Sequence, residues 1–144
     1  MSLERLLERA ASGSCVAQCT LGLHYLVGHE DIGQDYRKAF EFLSQAAEQG
    51  ASRAIWGLAH IYANGLAVEK DTAKAVKLYT RAAARGEFFA QLELARIYAK
   101  GDGIPRDDLA AFVWYSVVAA HEGDVEDAEL QEARQFVADW KKNK

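Results

Sequence analysis

The stretch "AIWGLAHIYANGLAVEKDTAKAVKLYTRAAARG", Ala54 to Gly86, holds two helix-length segments joined by a polar, glycine-bearing turn. Counting from Ala54, small or apolar residues fall at +4, +5 and +8 as Leu58, Ala59 and Tyr62, a spacing that puts them on one helical face. Gly65 follows, a residue free to take the positive φ on which helices end. Asp71 then stands as an N-cap, its carboxylate available to unpaired amides and to the positive end of a helix dipole. Gly86 closes the second helix.

The same order of residues occurs twice more, as "AQCTLGLHYLVGHEDIGQDYRKAFEFLSQAAEQG" from Ala17 and "AQLELARIYAKGDGIPRDDLAAFVWYSVVAAHEG" from Ala90. Ala17, Ala54 and Ala90 correspond, as do Tyr25, Tyr62 and Tyr98, and Gly28, Gly65 and Gly101, at steps of 37 and 36. Asp35, Asp71 and Asp107 recur at 36, and so do Ala39, Ala75 and Ala111. The extra residues of copies one and three lie in "GHEDIGQD" and "AAHEG", turns where insertion is cheapest. Gly50, Gly86 and Gly123 end the three copies. At +5 the residues are Gly22, Ala59 and Ala95, small enough to let the partner helix come close.

A two-helix unit cannot bury its apolar face alone, so successive copies must stack around a continuous core. The ends agree with stacking. "LERLLERAASG" places Leu6, Ala10 and Gly13 where copy one has Leu43, Ala47 and Gly50, a half-repeat cap. "DAELQEARQFVADWKKNK" has Leu130, Ala133, Val137 and Trp140 at helical spacing and should cover the last copy. The expected fold is all-α: a single domain over 1–144, an α/α solenoid with repeats at about 14–50, 51–86 and 87–123, a cap helix at about 3–12 and another at about 125–141.

Composition supports helix: alanine occurs 26 times among 144 residues and proline once. A net charge of -4 provides no field for nucleic acid or an anionic membrane surface, and neither is an expected partner. The longest nearly apolar run, "AAFVWYSVVAA" at 110–120, is far short of the roughly 20 residues of a membrane span. "MSLERLLERAASG" lacks the apolar core of a secretory signal, so the cytoplasm is the expected location, with the periplasm open for a chain already trimmed. Cys15 and Cys19, four apart on one helix, would have Cβ atoms about 5–6 Å apart, too far for a disulfide, and are read as reduced structural cysteines.

Leu21-Gly22-x-x-Tyr25, Lys38-Ala39, Lys74-Ala75, Gly101-x-Gly103 and Trp114-Tyr115 together resemble the Sel-one-like repeat family, a relative of tetratricopeptide repeats, over about residues 14 to 123. The resemblance implies a right-handed superhelix that acts as a non-catalytic scaffold or adaptor, binding a protein or peptide on the concave side lined by the first helices. Some cysteine-rich relatives carry disulfides between paired helices and have been linked to penicillin binding and hydrolysis. The second helices here contain no cysteine, so neither property carries over. An inhibitor or immunity-type protein directed at one effector is the alternative within binding; a β-lactam-binding hydrolase is the alternative outside it.

Recognition should fall where the repeat does not constrain the residue, since a stacking core needs sameness. The tyrosine column is therefore core. The resemblance implies a concave face at -1, +2, +6, +9 and +10, which gives Val16, Cys19, Leu23, Leu26 and Val27 in copy one, a set that either packs under the N-terminal cap helix or joins the recognition surface. The later copies give Arg53, Trp56, His60 and Asn64, then Phe89, Leu92, Arg96 and Lys100, with Ala63 and Ala99 beside them. These eight are the candidate partner-binding residues, with aromatics as anchors and basic groups suited to a ligand carrying carboxylates.

Catalytic patterns are missing from the sequence. His24, His29, His60 and His121 show no metal-ligand spacing, no serine stands in Gly-x-Ser-x-Gly, and "KGDGIPRDD" fits neither a calcium loop nor a phosphate loop. "HED" at His29–Asp31 reads as a polar turn rather than a cation site, and Glu122, Asp124, Glu126, Asp127 and Glu129 as a favourable approach to the last helix's N-terminus. No enzyme activity, cofactor or metal is expected, and oligomeric state is open.

Overall fold

A computed structural model describes residues 2–122 and 127–143. In chain order its helices are α1 (Leu3–Ala11), α2 (Cys15–Val27), α3 (Tyr36–Glu48), α4 (Ser52–Asn64), α5 (Thr72–Ala84), α6 (Phe88–Lys100), α7 (Asp108–Ala119) and α8 (Ala128–Lys142). α2 pairs with α3, α4 with α5 and α6 with α7, each pair packing on the next; α1 and α8 cover the two ends. The expected helical solenoid of repeated helix-turn-helix units is present. Gly123, taken as the end of the third repeat, and the expected start of the last cap at 125 lie outside the described residues.

Local chemistry sets the boundaries. Asp35, Asp71 and Asp107 accept hydrogen bonds from the amides of Lys38, Lys74 and Ala110 at 3.1, 3.0 and 3.0 Å. Gly65 and Gly101 sit in the left-handed region, at φ 63° and 71°, and end α4 and α6. Each turn is closed from both sides: the amides of Asp35, Asp71 and Asp107 donate to the carbonyls of Tyr25, Tyr62 and Tyr98 at 2.8, 2.9 and 2.9 Å. The backbone of the tyrosine column thus fixes where the second helix starts.

Within a pair, close approach depends on the small +5 residue. A Cβ added to Gly22 would lie 2.6 Å from Leu43 Cδ2 and 3.1 Å from its backbone nitrogen, so only glycine admits α3 at this distance. Ala59 and Ala95 occupy the same position in the later copies and are fully buried. Leu43 and Tyr79, the core residues of α3 and α5, are likewise sealed from solvent.

Between repeats, one buried polar contact recurs. Gln18 Nε2 donates to the Ala10 carbonyl and Gln91 Nε2 to the Ala83 carbonyl, both at 3.1 Å. Ala10 therefore stands to α2 as Ala83 stands to α6, which places α1 in the slot of a second helix, as its half-repeat sequence implies. At the other end Leu130 and Ala133 of α8 are buried, Trp140 stacks on Phe112 at 4.9 Å, and Phe136 stacks on Tyr115 at 4.4 Å.

Candidate functional site on the inner face

The first helices α2, α4 and α6 line one side of the stack, and α8 continues the row. Trp56 of α4 is half-buried; its indole stacks on His60 one turn later, at 5.8 Å between ring centroids and 21° between planes. Phe89 of α6 approaches the same indole at 6.2 Å and 48°, and is 42% exposed. Three rings from two repeats thus form one aromatic step. The Trp56 indole N–H is enclosed and has no acceptor among the described residues.

Around this step Asn64 Nδ2 donates to the His60 carbonyl at 2.9 Å and lies 3.3 Å from His60 Nδ1. That contact orients the imidazole under the indole. Burial lowers the His60 pKa, with Glu93 opposing the shift, so the ring is neutral at pH 7. Arg53 and Lys100 are exposed and form no ion pair among the described residues. A cleft of about 350 Å³ between α4 and α6 is lined by Asn64, Glu93, Arg96 and Lys100, next to the ring cluster.

Two expected contact residues take other roles. Leu92 is fully buried under α7 and α8 rather than facing the groove, because at this position α6 leans on the last pair. Arg96 is engaged inside the protein: its Nε and Nη2 donate to Glu132 at 2.9 and 2.6 Å, and its Nη1 donates to Glu93 at 2.9 Å. The Tyr115 hydroxyl donates to the same Glu132 carboxylate at 2.9 Å. The hydrogen bond from Arg96 holds the Glu132 carboxyl below its usual value against the opposing effect of burial. Arg96 is a clamp between α6 and α8 rather than a free cation.

The apolar copy-one set does not pack as a unit under the N-terminal cap helix. Val16 and Val27 are 73% and 68% exposed, while Cys19 and Leu23 are half-buried and Leu26 is buried. α1 lies against the other side of α2, through Ala10, so the inner face of α2 stays open. Val16, Leu23 and Val27 therefore extend the apolar side of the groove. Cys15 and Cys19 are free thiols, and burial raises the Cys19 pKa.

Glu93, Glu132 and Tyr115 were not among the expected residues. With the extra residue of "AAHEG" counted, the repeat step from Arg96 reaches Ala133, one past Glu132, so the column did not point to the carboxylate. Elsewhere, His29 stacks on His24 at 4.3 Å in the turn that holds Glu30 and Asp31. Among the described residues no group of three His, Cys, Asp or Glu gathers to hold a metal ion, and no helix is long and apolar enough to cross a membrane.

A uniform stacked core beneath an inner face whose side chains differ from copy to copy defines a repeat protein of the α/α solenoid class. The Sel1 repeat model matches residues 15–50, 52–87 and 89–117, covering all three copies. The chain belongs to the Sel1 repeat family. It is similar to a Sel1 repeat protein from Oxalobacter formigenes, with 36% identity and a TM-score of 0.74 over 96% of this chain and 98% of that one. It is also similar to a protective antigen of uropathogenic Escherichia coli strains that displays an SLR fold, with 30% identity and a TM-score of 0.78; the match covers 97% of this chain but 33% of that one. No curated protein matches the sequence. Sel1 repeats are typical protein-interaction scaffolds and are generally non-catalytic.

Proposed function

We propose that this protein is a non-catalytic binding module that holds a peptide or protein segment on the inner face of α2, α4 and α6. The observation that carries this reading is the step formed by Trp56, His60 and Phe89, rings presented from two repeats where stacking demands no aromatic. Large rigid rings supply contact area at little entropic cost and are the usual anchors of an interface. Val16, Leu23 and Val27 extend the apolar floor, while Arg53, Asn64 and Lys100 supply polar groups at its edge. Because the Trp56 N–H has no partner among the described residues, a ligand carbonyl reached by a small turn of the ring would gain a hydrogen bond without breaking one.

With Arg96 already paired, preference for a ligand carrying carboxylates rests on Arg53 and Lys100. Selection from a displayed peptide library tests both parts. Enriched peptides should be acidic, and their affinity should fall at least about tenfold with Trp56→Ala, the loss expected of an interface anchor. Arg53→Glu should weaken them further. Binding unchanged by both substitutions would overturn the reading.

A further inference from the structure

The outer face of α7 carries Leu109, Val113 and Val117, exposed by 64%, 49% and 38%. They are four residues apart, so they form one ridge about 12 Å long. The repeat supplies its own control. The same positions are Arg37, Glu41 and Gln45 in α3, and Ala73, Lys77 and Arg81 in α5, all of them exposed. These positions stay open in α3 and α5 although further repeats follow both, so stacking does not call for apolar side chains there. No charged residue occurs between Leu109 and Ala120.

Across the outer face of the second helices the row therefore runs from mixed charge on α3, through the cations Lys77 and Arg81 on α5, to an apolar ridge on α7. Lys77 and Arg81 form no ion pair among the described residues. We propose that the outer face of α5 and α7 docks an amphipathic helix of another protein, its apolar stripe seated on Leu109, Val113 and Val117 and its carboxylates facing Lys77 and Arg81. A ridge of residues spaced by four packs into the matching groove of a facing helix, which an extended peptide does not offer. Oppositely charged flanks then set its orientation. A second copy fits less well: antiparallel pairing of two α7 helices about a two-fold axis would set Lys77 and Arg81 against the same residues of the other copy. This surface lies away from the inner face, and neither reading depends on the other.

The probe is a labelled synthetic 18-residue amphipathic helix with a leucine stripe flanked by glutamates, beside a twin with lysines in their place, titrated with the whole protein by fluorescence anisotropy. The glutamate peptide should bind more tightly than its twin, lose about tenfold with Val113→Asp, and lose a similar factor with Lys77→Glu/Arg81→Glu, which should in turn favour the lysine twin. Circular dichroism confirms that these surface variants stay folded. No binding of the glutamate peptide, equal binding of the two peptides, or loss with Trp56→Ala instead of Val113→Asp would overturn the proposal. So would self-association, or cosedimentation with phosphatidylserine vesicles, that Val113→Asp abolishes.

Discussion

Arg53 and Arg96 look alike in the sequence, and replacing each with alanine separates them. Arg96 makes two bonds to Glu132 and one to Glu93, linking α6 to α8, and its side chain is 35% exposed against 37% for Glu132. At that exposure water screens the pair, which limits it to about 0.5–1 kcal/mol despite the forked geometry. Removing the cation also leaves the Glu93 and Glu132 carboxylates in a half-buried site with only the Tyr115 hydroxyl bond to Glu132 remaining. The total loss for Arg96→Ala is then about 1–2 kcal/mol, or roughly 3–7 °C in Tm for a chain of this size. Exposed, unpaired Arg53→Ala should stay within about 0.5 kcal/mol of wild type. Thermal melts at pH 7 compare the two, and a double-mutant cycle with Glu132→Gln should return a coupling of about 0.5–1.5 kcal/mol. Equal melting of the two alanine variants, or no coupling, would refute the assignment of Arg96 to the scaffold.

Trp56→Ala should lose about 1–2 kcal/mol of stability, short of the 3–5 kcal/mol of a fully buried tryptophan, because the ring is only half-buried; denaturant unfolding measures it. Gly22→Ala gains helix propensity but drives a Cβ to within 2.6 Å of Leu43, so a net loss of about 1–2 kcal/mol should appear in the same assay, and a stabilised variant would contradict the close approach of α2 and α3. Glu132 has a lowered pKa in the folded state, so its stabilising effect is complete above the ordinary value of 4.5 and is lost as pH falls through the lowered one; the acid limb of the Tm profile should flatten in Glu132→Gln. His60 likewise titrates below 6.5 when folded, so its neutral form favours folding above that pH and the benefit fades as pH falls through the lowered value; an NMR midpoint at or above 6.5 would count against its burial.

Much of the fold was legible because it is written in local chemistry. An aspartate that caps a helix and a glycine that ends one act within a turn of themselves, and three copies in register make chance agreement remote. The positions of the inner face came from the family resemblance, and the Trp56 and Phe89 rings lie 6.2 Å apart across two of its repeats. Leu92 illustrates the limit: it shares a column with Trp56, but the lean of α6 onto α7 and α8 turns it into core. Arg96 illustrates another, since its charge is satisfied by Glu132, which stands on the cap helix α8 outside the three copies.

By itself, then, the sequence determined the period, the helix ends, the stacking and the columns, all consequences of backbone conformation and of apolar spacing within a few turns. Tertiary structure alone decided which members of a column remain available to a partner. Val16 and Val27 stand open because α1 docks on the far side of α2, and Arg96 is closed because α8 brings a carboxylate to it. Exposure and ion pairing depend on what a neighbouring helix brings within a few ångströms, and sequence spacing within one helix does not specify that.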